Sequence, residues 1–378
     1  MNKASFLLLL ALFTFVACRP EPPVDGDDLT DITYAPAGYT VDAPNGFPPM
    51  EIPADNPMTV QGIKLGRHLF YDPILSLDST ISCSSCHHSD KAFTDGEVFS
   101  VGVEGRRAKR NSMSLVNVGY SWIKTREHNF MWDGRFATLE EQALAPVEDF
   151  NEMGENWENV EKKLRNHPEY PTLFREAFGI DNTAEITKYL AAKAIAQFER
   201  TINSAKSGYD GDRWSNQYMT PAEQRGFELF LGDAAGNPVA KDAECLHCHS
   251  FSDNKALFAR NNFTNNGLDS VASFSDFVDK GYGATIGDPT QNGFFREVTL
   301  RNIALTAPYM HDGRFKTLRE VLDHYATGGH AAPNLAPELS TSTSIQTLTE
   351  AEKDDLEAFL HALTDTTIVN RAEWQSPF

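Results

Sequence analysis

The sequence carries the same five-residue pattern twice, and each copy forces two thiols and an imidazole close together. Residues 83–87 read Cys-Ser-Ser-Cys-His, and residues 245–249 read Cys-Leu-His-Cys-His. Together the two copies use four of the five cysteines, and the fifth is Cys18 near the N-terminus. Any fold for this chain must therefore present two separate Cys-x-x-Cys-His turns.

This pattern is typical of covalent attachment of a c-type haem. Two thiols on one helical turn can reach the two vinyl groups of one porphyrin, and the adjacent histidine can ligate the iron through a neutral ring nitrogen. We therefore predict two haem c cofactors, each with two attachment cysteines and one proximal histidine. The predicted residues are Cys83, Cys86 and His87 for the first haem, and Cys245, Cys248 and His249 for the second.

Three other uses of paired cysteines fit the sequence less well. Zinc modules place their second cysteine pair about 15–20 residues after the first, whereas 158 residues separate Cys86 from Cys245 here. Small-loop disulfides, which export permits, leave the histidine after each pair unexplained. Redox-active dithiols usually lie in a βαβ context, which this sequence does not show.

The N-terminus predicts export. Lys3 supplies a positive start, and residues 6–16 form an apolar run that is too short to cross a bilayer and suits a signal peptide. The run ends in Phe-Val-Ala-Cys at residues 15–18, which resembles a bacterial lipobox, although a leucine is usual at the position of Phe15. The alternative is a plain signal peptide followed by an incidental cysteine.

We therefore predict a signal peptide over residues 1–17 and lipidation of Cys18. Residues 18–50, which begin with a stretch rich in Pro and Asp, would then form a flexible lipidated tether. Since no other segment is long and apolar enough to cross a bilayer, the lipid anchor is the only predicted membrane contact. The predicted location is periplasmic.

Charge and composition restrict the partners. The net charge of −20 argues against nucleic acid, because phosphate backbones need Lys and Arg to replace their counterions. An acidic surface favours a basic partner through long-range steering, or simply keeps the protein soluble. The hydrophobic fraction of 41% and charged fraction of 23% are those of a globular protein, and 378 residues suffice for two domains.

The sequence around the two motifs is duplicated. Residues 66–70 precede the first motif, and the similar residues 226–230 precede the second. Downstream, residues 131–139 (Met-Trp-Asp-Gly-Arg-Phe-Ala-Thr-Leu) match residues 310–318 (Met-His-Asp-Gly-Arg-Phe-Lys-Thr-Leu). One structural unit is therefore used twice, and its second copy has a histidine in place of a tryptophan.

The repeated unit has the signals of helices. Four Thr-x-x-Glu sequences, which begin at residues 138, 220, 317 and 349, predict capping boxes. Residues 185–201 predict a longer helix. We predict a mainly α fold made of two cytochrome c-like helical haem domains with extensive loops. The predicted domains are residues 51–215, with the first haem, and residues 216–378, with the second.

These motifs resemble those of the bacterial di-haem cytochrome c peroxidases and of MauG, a relative that completes a tryptophan-derived quinone cofactor in another protein. The resemblance rests on the two haem motifs, on Trp-Asp-Gly-Arg at residues 132–135 and on Tyr-Met-His-Asp-Gly-Arg at residues 309–314. It covers roughly residues 55–365. Cys18 would make this chain a lipoprotein-type member.

The resemblance implies that the N-terminal haem reacts with peroxide. It places Gln142 and Glu152 on the distal face with Pro146 beside them, and it makes Trp132 an electron carrier between the haems. Gln142 and Pro146 share one helix face, and a glutamate in an apolar pocket suits proton transfer between peroxide oxygens. Considered singly, Glu152 could be a solvated surface carboxylate and Trp132 a core aromatic.

The resemblance also bears on the distal ligand of the second haem. Cytochrome c peroxidases use a methionine 17 residues after the proline of a Thr-x-Pro-Tyr segment, and that position here is Tyr325. Tyrosine at this position is the MauG pattern, and an anionic oxygen donor stabilises ferric iron. By chemistry alone, Met310 and His324 are alternative ligands.

Two further features are implied by the resemblance. The loop histidine that blocks the first haem of typical peroxidases at rest is replaced by Val103, and no histidine lies between His88 and His128. We therefore expect the first haem to be open to peroxide before the second is reduced. A calcium ion between the domains would be held by the Asn111 side chain and by backbone carbonyls, which suit calcium. The carbonyls are those of Thr306 and Pro308.

Three functions are compatible with these residues. The first is reduction of hydrogen peroxide with electrons that a small cytochrome or other donor passes through the C-terminal haem. The second is a MauG-like oxidation of a protein or organic substrate, which Tyr325 and the missing loop histidine favour. The third is a plain electron-transfer cytochrome, which would not need Gln142 and Glu152.

Overall fold

The computed structural model describes residues 26–44, 46–123, 125–212, 219–232, 241–249 and 256–378. The predicted signal peptide, Cys18 and the first part of the predicted tether lie outside the described residues. Helices and short 3-10 turns dominate the described chain, as predicted, and the two strands have two residues each. None of the described helices has the length and apolar content needed to span a membrane.

Helices and strands are distributed along the whole described chain. In each half, most helices either precede the Cys-x-x-Cys-His motif or follow the repeated downstream segment. Strands β1 and β2 pair antiparallel, with Phe263 opposite Arg296. The helices are α1 (Val60–Tyr71), α2 (Leu139–Glu148), α3 (Trp157–Arg165), α4 (Tyr170–Phe178), α5 (Lys188–Glu199), α6 (Gly208–Asp212), α7 (Pro221–Leu231), α8 (Cys245–Cys248), α9 (Tyr282–Ile286), α10 (Leu318–Ala326), α11 (Pro337–Ser340) and α12 (Glu350–Ala362); the strands are β1 (Phe263–Thr264) and β2 (Phe295–Arg296).

The duplication is visible in how the helices cross. In the first half α1 crosses α5 so closely that a Cβ on Gly66 would lie 1.9 Å from the carbonyl oxygen of Ala194. In the second half α7 crosses α12 in the same way, and a Cβ on Gly226 would lie 1.9 Å from the carbonyl oxygen of Asp355. Glycine is therefore needed at both crossings because only hydrogen fits there.

Local signals start the helices as predicted. Thr138, Thr220, Thr317 and Thr349 each accept a hydrogen bond from the backbone N–H of the glutamate three residues later, and all four form complete capping boxes. Helix α5 is shorter than the predicted residues 185–201. Thr187 is extended, with φ −127° and ψ 159°, so the helix begins at Lys188.

Each half of the chain has its own main apolar cluster, and the C-terminal segment packs against the first half. Ile368 and Trp374, which follow α12, are buried against Phe70 and Phe93 of the first half. The Asp365 carboxylate accepts hydrogen bonds from the Ser204 hydroxyl and from the backbone N–H of Lys206. The two halves therefore share buried contacts, and the predicted division at residue 215 stays a prediction.

Candidate haem sites

The first Cys-x-x-Cys-His sequence folds as a 3-10 turn over Cys83–Ser85. Both of its cysteines are free, and burial raises the pKa of the Cys86 thiol to about 11. His87 Nδ1 donates a hydrogen bond to the carbonyl oxygen of Phe93 at 2.8 Å, and burial lowers the pKa of its imidazole. The ring is therefore neutral, and its Nε2 is left to bind a metal.

The second sequence forms the single-turn helix α8, and its geometry repeats that of the first. Cys245 and Cys248 are free. His249 Nδ1 lies 3.1 Å from the carbonyl oxygen of Val298 and 3.3 Å from that of Phe258, so it donates there and leaves Nε2 for a metal. Two pairs of free thiols, each with a neutral histidine oriented by a backbone carbonyl, fit two covalently attached haems.

The first of two large cavities is lined by Cys86 and His87, and it receives the distal residues expected from the sequence. Gln142, Pro146 and Glu152 all line it. Gln142 Oε1 is buried and has no hydrogen-bond partner among the described residues. A buried acceptor without a partner is costly, so this amide suits a polar ligand inside the cavity.

Glu152 is a carboxyl group on the wall of this cavity whose pKa is shifted toward neutrality. Burial, together with the nearby carboxylate of Asp149, raises its pKa to about 7, and Arg135 opposes that shift. A carboxyl group with this pKa can both hold and release a proton at neutral pH. Glu152 is therefore not the solvated surface carboxylate considered as the alternative.

The loop with Val103 lies directly behind Glu152. The backbone N–H of Val103 donates to the carbonyl oxygen of Glu152 at 2.8 Å, and the Val103 side chain is fully buried. A Cβ on Gly102 would lie 2.2 Å from the carbonyl oxygen of Asn151, so the loop cannot carry a larger residue at Gly102. Among the described residues, His87 is the one histidine that lines the first cavity.

Trp132 lies in the wall between the two cavities and lines both of them. Its indole Nε1 donates to the carbonyl oxygen of Asn111 at 2.8 Å, and its own carbonyl accepts from the backbone N–H of Arg296 at 3.0 Å. The structure therefore brings Trp132 to the place expected of a carrier between two haems. A role in packing remains compatible with this position.

The second cavity is lined by Cys245, Cys248 and His249, and two candidate distal ligands face it. Tyr325 and Met310 both line the cavity, and Asn266 Nδ2 lies 3.3 Å from the Tyr325 hydroxyl and 3.4 Å from Met310 Sδ. The third candidate, His324, does not line the cavity, because its Nε2 donates to the carbonyl oxygen of Asn266 at 2.9 Å. Burial raises the pKa of Tyr325 to about 12, so its phenol stays protonated unless a cation faces it.

The comparisons with known proteins agree with this geometry. Residues 60–217 match the family model described as di-haem cytochrome c peroxidase. A cytochrome-c peroxidase, IdrP1, of Denitromonas iodatirespirans is 33% identical over 94% of this chain and 93% of the relative. This chain belongs to the di-haem cytochrome c peroxidase family. The predicted family and the two haem c cofactors that it implies are thereby confirmed.

Other members of the family are similar to this chain over most of its length. The methylamine utilization protein MauG of Methylorubrum extorquens is 32% identical over 82% of this chain and 80% of the relative. The solved structure of a MauG-like protein associated with microbial copper homeostasis is 35% identical, covers 90% of this chain and 99% of its own, and superposes with a TM-score of 0.75. The fold is therefore that of the family.

The three residues predicted to bind calcium are found on the wall of one cavity. Asn111, Thr306 and Pro308 all line the second cavity. Asn111 Nδ2 donates to the carbonyl oxygen of Glu97 at 2.8 Å, which leaves its Oδ1 as the oxygen available to a cation. The calcium ion itself stays a prediction.

Two buried ionisable residues that the sequence did not single out line the cavities. Arg296 lines both, and its Nη1 has no hydrogen-bond partner among the described residues. The neighbouring Glu297 lines the second cavity, and burial raises the pKa of its carboxyl group. No local motif marks these residues, because only the fold shows that they are buried and face a cavity.

Proposed function

We propose that this protein reduces hydrogen peroxide to water in the first cavity, with electrons that enter through the second. The observation that carries the proposal is the position of Glu152, with a pKa of about 7, on the wall of the cavity that His87 also lines. The reaction consumes two electrons and two protons for each peroxide and yields two waters. The haem iron held by His87 would supply the electron-accepting and peroxide-binding chemistry.

The side chains of the first cavity transfer protons and orient the peroxide. The Glu152 carboxylate accepts a proton from one peroxide oxygen and returns it to the other, so that water leaves. Gln142 Oε1, which is buried and free, accepts a hydrogen bond from the peroxide and orients it. Pro146 offers no donor or acceptor on its side chain and keeps that part of the wall apolar.

We assign the covalent attachments to the two cysteine pairs, the iron ligands to His87, His249 and Tyr325, and electron transfer between the sites to Trp132. Tyr325 rather than Met310 is the preferred ligand because an anionic oxygen stabilises ferric iron. The proposed donor is a small cytochrome or a substrate protein. The proposed calcium ligands are Asn111, Thr306 and Pro308.

A MauG-like oxidation of a protein or organic substrate is the second candidate function. It is favoured by Tyr325 on the wall of the second cavity and by the absence of any histidine other than His87 among the described residues that line the first. The similarity to a MauG-like protein associated with copper homeostasis supports it further. In this function the electrons for peroxide reduction come from the substrate.

We also propose the finer features of location and organisation. The protein is exported to the periplasm and is anchored there by a lipid on Cys18, after removal of residues 1–17. Residues 18–50 form the tether, residues 51–215 the peroxide-reacting domain, and residues 216–378 the electron-transfer domain. Mass spectrometry of the mature N-terminus, with an expected diacylglycerol adduct on Cys18, tests the anchor.

The first experiment on the function is spectroscopic. Absorption and low-temperature EPR spectra of the air-oxidised protein are recorded before and after one equivalent of peroxide is added. A high-spin ferric signal beside a low-spin one, and an immediate spectral change with peroxide, support the proposal. Two low-spin haems that ignore peroxide until one electron is added would contradict an open first site.

A further inference from the structure

Four chain segments meet at the mouth of the first cavity. Each segment contains a residue that lines the cavity, and either that residue or its neighbour in the chain is exposed to solvent. The segments are Ser100–Val101, Arg107–Lys109, Asp149–Phe150 and Val278–Asp279. The last segment comes from the second half of the chain, so the opening lies between parts of the molecule that are distant in sequence.

Three of the exposed residues in these segments are apolar. Val101 is 42% exposed, Phe150 66% and Val278 100%. Arg106 covers one face of the Phe150 ring, with its guanidinium carbon 3.6 Å from the ring centroid, and a second planar group could pack beside this pair. Apolar side chains that cluster around one opening mark a binding surface.

The same rim carries a cluster of cationic side chains in a protein of net charge −20. Four of the five residues from 106 to 110 are Lys or Arg. Arg110 is neutralised by Asp133 at 2.6 Å and by Asp279 at 2.8 Å, and Arg106 pairs with Glu104. In the described chain, Lys109 and Arg107 form no ion pair, and both are exposed.

The acidic groups at this opening offset only part of this positive charge. Asp279 is engaged by Arg110, whereas Asp149, which lines the cavity beside Glu152, forms no ion pair among the described residues. Asp133 is shared, at 2.6 Å from Arg110 and 3.5 Å from Arg135. The opening therefore offers apolar contact together with unpaired positive charge, which is the combination that attracts an organic anion.

We propose that this rim is a separate donor site, at which a small aromatic anion such as a phenol bearing a carboxylate binds and is oxidised directly at the first cavity. The aromatic body packs against Phe150 and Val278, and the carboxylate faces Lys109. This proposal rests on the proposed reduction of peroxide in the same cavity. It differs from that function because no electron has to enter through the second cavity.

The reaction balances without a further reactant. Two phenol molecules each lose one electron and the proton of the O–H group, and each becomes a phenoxyl radical. The O–O bond of one hydrogen peroxide breaks, and its two oxygens take up the two electrons and two protons and leave as water. Each carboxylate is unchanged and serves only for binding.

The test compares two phenols that carry opposite charges at the end of the same alkyl side chain, one a carboxylate and the other a quaternary ammonium group. The di-haem protein is assayed with peroxide and each phenol at low ionic strength. We expect kcat/KM to be about tenfold higher for the anion, a preference that falls as salt is added. Binding is measured separately, from paramagnetic broadening of the ligand's proton NMR signals by the resting protein.

Two variants of equal charge change locate the site. Lys109→Glu should abolish or reverse the preference for the anion and remove its line broadening. Lys64→Glu, on the exposed side of α1 and away from both cavities, should change neither. Equal kcat/KM for the two phenols, or an unchanged preference in Lys109→Glu, would overturn the proposed site.

A parallel assay with a reduced cytochrome as donor separates this proposal from the function on which it rests. Peroxide turnover with the cytochrome but no charge preference among phenols overturns the rim site alone. No turnover with any donor overturns the reduction of peroxide in the first cavity, and the rim site with it.

Discussion

The first and second cavities are built on one scaffold but differ in which side chain faces the place where a distal ligand would lie. Each has a Cys-x-x-Cys-His turn, a histidine oriented by a backbone carbonyl, and a glycine at the helix crossing. Even the methionines that begin the repeated downstream segments share a left-handed backbone, with φ 72° at Met131 and 77° at Met310. The common scaffold therefore does not distinguish the two sites.

The difference lies eight residues into the helix that follows each segment. Counted from the capping threonines Thr138 and Thr317, the equivalent residues are Pro146 and Tyr325, and each lines its own cavity. Proline carries no ligand atom, whereas the tyrosine oxygen can bind iron. Under the proposed ligand assignment, one substitution at this shared position would separate an open site from a closed one.

The largest expected effect comes from removing the proton carrier of the open cavity. Glu152→Gln keeps the size of the side chain but cannot accept a proton, so kcat for peroxide reduction should fall about 10²–10⁴-fold. Glu155→Gln, three residues on and paired with Lys163, is the matched control and should leave kcat unchanged. A loss of less than about threefold in Glu152→Gln would exclude this role.

A second prediction concerns a substitution that would supply a distal ligand in the first cavity. Pro146→Tyr places at the open site the residue that stands at the equivalent position of the second. We expect the high-spin EPR signal to disappear and the reaction with peroxide to slow, because the phenol oxygen competes for the iron. Pro146→Ala leaves the cavity open and should keep the high-spin signal.

The second cavity offers the reciprocal change. Tyr325→Met should raise the reduction potential of the second haem by on the order of 100–300 mV, so that ascorbate reduces it. Met310→Leu should leave the potential near its original value. If Met310→Leu moves the potential and Tyr325→Met does not, Met310 is the ligand. Redox titration followed by absorption measures both variants.

The shared scaffold itself can be tested at the helix crossings. Gly66→Ala and Gly226→Ala each place a Cβ 1.9 Å from a backbone carbonyl oxygen, so each should lower the free energy of unfolding by about 2–3 kcal/mol. Gly105→Ala adds a Cβ that meets no atom within 4 Å and serves as a control, although its φ of 72° carries a smaller strain cost. Unequal losses at Gly66 and Gly226 would show that the two crossings are not equivalent. Denaturant unfolding measures all three.

The smallest expected effect is the pH dependence. Because burial raises the pKa of Glu152 to about 7, the rate of peroxide reduction should rise with pH through about 7 as the carboxylate forms. The folded protein also holds this proton at a pH where the unfolded chain has lost it. Its contribution to stability is therefore present at low pH and lost as pH rises through about 7. Both inflections should be absent in Glu152→Gln.

The sequence alone was enough for those features that depend on short spacings. The two Cys-x-x-Cys-His turns, the four capping boxes and the mainly α fold all follow from residues within about one helical turn of each other. The duplication could also be read from the sequence, since both copies keep the same order of motifs. These features are local, so no knowledge of packing was required.

Only the tertiary structure decided which distant residues share a cavity. Gln142 and Glu152 line one cavity with His87 only because helix α2, the loop around Glu152 and the turn of His87 pack around the same space. The same is true of His324, which turns away from the second cavity toward the carbonyl of Asn266. Burial, pKa and the charge of the rim depend on contacts between segments far apart in sequence, and for that reason short-range patterns do not contain them.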